Sequence, residues 1–227
     1  MKRNATLFSL LMLFIFSSCH HRYYTSRSFK EQTFQHKTIA ILPPKMVLMG
    51  NMPPGYSVYE IEQLEIKESK LFQEALFNNI LKSGNHGRHS LTIALQPFIT
   101  TLSLLEKNEI SIRNSWDKDD AELAAVLGVD AVVRTSIQKD RIMSDLASAS
   151  IYAGDKIADA ILKKPPLTTP AYINTSNIRA TCSIVSKGET LWNDSYITGT
   201  NFSVSANEVI YNLTNNFAKN FPYKRRA

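Results

Sequence analysis

Apolar residues recur at two periods along this chain, and the switches between them mark out its elements. The stretch from Asp119 to Arg141 shows the switch most clearly. Ala121, Leu123, Ala124, Ala125 and Leu127 form a run of good helix formers. Asp119 or Asp120 is placed to cap that helix, with Glu122 in its first turn. Gly128 ends it, because only glycine enters the left-handed conformation without a Cβ penalty. Val129 to Ile137 is then rich in β-branched residues around an apolar AVV centre, which predicts a strand. A small-residue helix followed by a buried strand is the working unit of an α/β layer.

Upstream, Lys37 to Leu42 predicts a first strand, closed by Pro43 and Pro44. Residues 43–65 hold Pro53, Pro54 and two glycines, and read as a long loop. Ile66 to Lys82 predicts a helix, with Leu71, Phe72, Ala75, Leu76, Phe77 and Ile80 at spacings of three and four. Ser83-Gly84-Asn85 stops it. Leu91, Ile93 and Leu95 alternate with Thr92, Ala94 and Gln96, a strand over 90–97. Thr100 or Thr101 then caps a short helix ending near Glu109, and Ser115-Trp116 falls in a linker.

Downstream, residues 148–164 predict an Ala-rich amphipathic helix carrying Ile151, Ile157 and Ile161, stopped by Pro165-Pro166. It interrupts two strands that could connect directly, so it is a candidate for self-association or partner contact as well as for sheet packing. Asn177–Val185 and Thr190–Thr198 predict a hairpin with Gly188 suited to positive φ in its turn. Ile178, Ala180, Cys182 and Ile184 share one face of it. Ala206 to Phe221 is the last helix, capped by Ser203 or Ser205 and broken by Pro222. The expected fold class is α/β: a single domain over 37–221, with a mixed sheet flanked by helices.

The N-terminus changes the picture. Lys2 and Arg3 precede the ten-residue apolar run Leu7–Phe16, shorter than the roughly 18–20 residues that span a bilayer. Phe16-Ser17-Ser18-Cys19 follows and resembles the bacterial lipobox, with Phe16 where leucine is usual. The resemblance implies a signal peptide over 1–18, removed, and Cys19 acylated as the anchor to the membrane. Three acyl chains exceed the roughly two signals that stable anchoring takes. Residues 19–36 then read as a tether, and 222–227 as a basic tail. Losing residues 1–18 removes two of the 26 lysines and arginines and none of the 20 acidic residues, so the net charge falls to +4. The basic residues are scattered except in Lys224-Arg225-Arg226, and no basic stripe with interleaved aromatics points to nucleic acid.

Chemistry-bearing groups are sparse. Cys182 is the only cysteine after Cys19, so it has no second thiol with which to make an internal disulfide, and its strand position suits a small buried hydrophobe. His20 with His21, His86 with His89, and Met46, Met49 and Met52 could each be drawn as metal ligands. None has the additional partners that a site needs. Asp117, Asp119 and Asp120 cluster, but helix capping explains them. The expectation is no catalytic, metal or cofactor site.

Three pieces together, KTIAILPP, AELAAVLGVDAVVRTSI and TCSIVSKGETLW, resemble one superfamily of envelope lipoproteins. It comprises relatives of the curli-secretion channel CsgG, the penicillin-binding-protein activator LpoB and a neisserial-type lipoprotein family. The likeness runs over roughly 37–220. It implies a lipid-anchored, periplasm-facing α/β domain at the outer membrane that binds an envelope protein partner or forms a homo-oligomer, without catalysis or cofactor. A part in a secretion or transport assembly is the alternative it implies. The channel's membrane hairpins have no counterpart in this sequence, and the activator's long tether is much shorter here.

Overall fold

The computed structural model describes residues 23–50, 57–85, 89–141, 176–200 and 206–226. The element order is β1 (Tyr24–Thr25), α1 (Phe29–Thr33), β2 (Thr38–Ile41), β3 (Lys45–Gly50), α2 (Val58–Gly84), β4 (His89–Leu91) and β5 (Ala94–Leu95), then α3 (Phe98–Lys107), α4 (Ile112–Asp117) and α5 (Asp120–Leu127), and finally β6 (Ala131–Arg141), β7 (Ser176–Ser186), β8 (Glu189–Thr200), α6 (Ala206–Asn220) and β9 (Lys224–Arg226). Among the described residues, seven strands make one mixed sheet in the order β1-β8-β7-β6-β2-β5, with β3 also on β6; β4 and β9 form a separate antiparallel pair.

The eleven-residue β6 is the spine. Its first half pairs in parallel with β2, Ile39 opposite Ala131, and its second half with β3, Lys45 opposite Ser136. Pro43 and Pro44 lie between the two, where neither can donate to a ladder. On its other side β6 is antiparallel to β7 along its length, and β7 to β8. Lys187 and Gly188 both take positive φ, 51° and 78°, which is the backbone of a two-residue hairpin turn matched to strand twist.

Alternation along the strands sends side chains to two cores. Ile39, Ile41, Val133, Ile137, Ile178, Cys182 and Trp192 face α2 and α6, which contribute Phe72, Leu76, Ile80, Leu213 and Phe217. Ala40, Leu42, Val132 and Val185 face the other way, onto Leu105 of α3 and Leu123, Ala124 and Leu127 of α5. The mixed sheet flanked by helices is therefore as expected.

The helix–glycine–strand unit forms as its sequence dictates. Asp119 accepts from the Ala121 and Glu122 N–H groups at 2.9 and 3.0 Å. Gly128 is left-handed at φ 67°, and the Val129 N–H reaches back to the Ala124 carbonyl at 3.0 Å, closing the helix with a Schellman bond.

Several expectations are corrected. The 43–65 loop instead contains β3 and the first turns of α2, which starts at Val58 with a Ser57/Glu60 capping box. The strand over 90–97 is two strands in two sheets; Thr92 leaves the line to donate to the Tyr223 carbonyl at 3.0 Å. Pro97, not Thr100 or Thr101, precedes α3, and Thr101 is buried inside it. Ser115 and Trp116 belong to α4. The tether is corrected from Tyr23 onward: Tyr24 and Thr25 pair with Asn193 and Trp192. The basic tail pairs with β4. Cys19 and the amphipathic segment 148–164 lie outside the described residues.

Candidate docking cleft

α2 carries a polar stripe at a spacing of four, Glu65, Ser69 and Gln73, all buried. It runs along the end of β2, the link to β3 and β3 itself, and satisfies the backbone there. Gln73 donates to the Ile41 carbonyl at 2.6 Å and Ser69 to the Pro44 carbonyl at 2.7 Å. Glu65 Oε1 accepts from the Leu48 N–H at 3.1 Å. The second Glu65 oxygen turns outward and binds Arg113 Nη1 at 2.7 Å.

Arg113 is the centre of a cleft of about 550 Å³ between β3, α2 and α4. Its guanidinium carbon sits 5.2 Å from the ring centre of buried Trp116, within cation–π range. Glu62 lies 3.7 Å from its other terminal nitrogen. Across the mouth, Lys45 Nζ meets Asp117 Oδ1 at 2.7 Å, both well exposed. That hydrogen bond and the lysine charge hold the Asp117 carboxyl below the usual carboxylate range.

Below the cleft Arg134 locks the α4–α5 joint. It donates to the carbonyls of Trp116 at 2.8 Å and Lys118 at 2.9 Å, and its Nε binds Asp120. The three clustered aspartates thus part company. Asp117 faces the cleft, Asp119 caps α5, and Asp120 holds Arg134. They converge on no common point.

Of the other singled-out residues that are described, Cys182, Met46 and Met49 form no cluster. Cys182 is fully buried under Thr135, and burial pushes its thiol up to about 12. Met46 is buried in the core, while Met49 is part-exposed three positions along the same strand, hence on the opposite face. Met52, His20, His21 and His86 lie outside the described residues. Among the described residues no three His, Cys, Asp or Glu side chains are grouped to hold a metal ion. Lys45, Glu65 and Arg113 were not legible as a site: they come from three elements and carry no shared spacing. Trp116, a lone tryptophan beside charged residues, was the one local signal.

No family model and no curated protein sequence matches this chain. Solved structures do. The lipoprotein GNA1162 from Neisseria meningitidis is 11% identical, over 82% of this chain and 99% of that one, with a TM-score of 0.39. A PelC dodecamer from Paraburkholderia phytofirmans is 8% identical over 87% and 93%, TM-score 0.38. The LpoB C-terminal domain from Salmonella enterica is 9% identical over 73% and 84%, TM-score 0.32. At such identities and TM-scores no function is carried across from them to this chain.

Proposed function

We propose that this is an envelope lipoprotein, anchored through Cys19 to the outer membrane and facing the periplasm, which acts as a protein-binding or assembly module and not as an enzyme. The observation that carries the binding reading is Arg113 stacked on Trp116 inside a charge-framed cleft. Tryptophan and arginine are enriched among the few residues that carry most of an interface's binding energy; Arg113 presents the contact surface and the buried Trp116 ring backs it. Here both are held by rigid elements, Arg113 through Glu65 and Trp116 through the Arg134 clamp on its carbonyl. Opposite charges at the mouth, Lys45 and Asp117, would set the orientation of a partner's polar groups.

The anchor is tested by detergent phase partitioning. Wild type is expected in the detergent phase and Cys19→Ala in the aqueous phase; equal partitioning refutes lipidation. The cleft is tested with a photo-crosslinking residue at exposed Asn114, used in native membranes. One discrete adduct is expected, lost on Arg113→Ala with Asp117→Lys. An adduct unchanged by those substitutions places the partner elsewhere.

A further inference from the structure

The docking of β1 on β8 fixes where a lipid anchor must lie. Five residue steps separate Cys19 from Tyr24. A fully extended chain covers about 18 Å in that distance. The far edge of the sheet, β5, is five strand spacings from β1, about 24 Å across. An acylated Cys19 therefore keeps the β1 edge within about 18 Å of the bilayer and rules out contact through the β5 edge.

The surface on that edge suits the position. Tyr23 is 46% exposed, Tyr24 56% and Ile197 79%. Asn193, the partner of Tyr24, and Ile197 lie four positions apart on β8, about 13 Å. Tyrosine rings with a polar tip settle at the headgroup level of a membrane. Exposed Arg27 and Lys30 follow β1 and suit anionic lipid. Among the described residues, β1 pairs with Trp192 and Asn193 of β8. The outer edge of the strand beyond them could not enter hydrocarbon, but water and phosphates serve it at headgroup depth.

We propose that the protein rests on the lipid bilayer by its β1–β8 edge, with Tyr23, Tyr24 and Ile197 among the headgroups. This orientation rests on the lipid anchor proposed above. It leaves the Arg113 cleft, on the opposite side of β6 from β8, open to a partner.

The test uses the full lipidated chain in vesicles of phosphatidylethanolamine and phosphatidylglycerol. Cysteine replaces Tyr24, Ile197 or, as a control, Ile99, which is 67% exposed at the start of α3 on the far side of the sheet. Each is given a nitroxide label; Cys182 is buried and stays unlabelled. Collision with oxygen relative to a water-soluble nickel chelate is expected to rise several-fold at 24 and 197 over the value at 99. Equal ratios at all three positions, in a protein that floats with the vesicles, overturn the orientation alone. A chain with Cys19 intact that does not float overturns the anchor and the orientation together.

Discussion

The two long edges of the sheet are finished in different ways. On the β2–β3 side, three side chains of one helix reach the strand backbone, and the partners are near in sequence: Glu65 with Leu48, Ser69 with Pro44, Gln73 with Ile41. The polar stripe is part of the core, so this edge cannot open without unpacking α2. On the β8 side, a short N-terminal strap does the work across more than 150 positions. Ser26 and Ser28 donate to Glu189 at 2.7 and 2.5 Å, and Gln32 joins them. Edges are where sheets recruit other strands. The sealed edge is a structural solution, and the strapped one joins the fold to the N-terminal segment on which the proposed anchor, Cys19, lies.

The comparison can be broken on the sealed side first. Glu65→Ala removes the acceptor for Leu48 and the partner of Arg113 together, and is expected to cost about 2–3 kcal/mol in denaturant unfolding. Ser69→Ala orphans the buried Pro44 carbonyl alone and is expected to cost about 1–2 kcal/mol. If either is neutral, the stripe is not what closes that edge.

The strapped side should respond locally. Its three hydrogen bonds, Ser28 first, hold the Glu189 carboxyl below the usual carboxylate range. Glu189→Ala is expected to speed amide exchange at Thr25 and Ser26 while the unfolding midpoint and the Leu48 amide barely change. Loss of protection throughout the sheet would show the strap to be integral to the core.

The smallest effect is expected from pH. His36 lies where the strap enters β2, with Nδ1 2.7 Å from the Tyr223 hydroxyl and Nε2 3.3 Å from Ser186 Oγ. Burial holds its imidazole below the ordinary 6.5, against the pull of Asp130 and helped by Lys187. A histidine with a depressed folded value stabilises when neutral. That contribution is whole above 6.5 and is lost as pH falls through the folded value. Acidification is therefore expected to loosen exchange near His36 before the Leu48 amide responds, and His36→Gln should flatten the profile. The same profile in that variant would assign the effect to another group.

Local chemistry was legible in the sequence. Asp119 and Gly128 bound α5 because a cap and a left-handed residue are decided within one turn. The hairpin was legible for the same reason, through Gly188 and the alternation that buries Ile178, Ala180, Cys182 and Ile184. β3 was hidden because Pro43 and Pro44 look like an end, and its partner β6 begins 81 residues after β3 ends. The strand reading of 90–97 failed because alternation does not reveal that Thr92 turns away to meet Tyr223.

By itself, then, the sequence determined the α/β class, the main helix–strand joint and the hairpin, all written within short windows by caps, glycine and periodicity. Only the tertiary structure decided which charges meet. Lys45, Glu65 and Arg113 become one cleft, and Asp117, Asp119 and Asp120 separate into three roles, because strand pairing and helix packing bring together residues that share no spacing along the chain. The same pairing turned an apparent tether into a strand, since the edge that β1 covers is made by β8, far along the sequence.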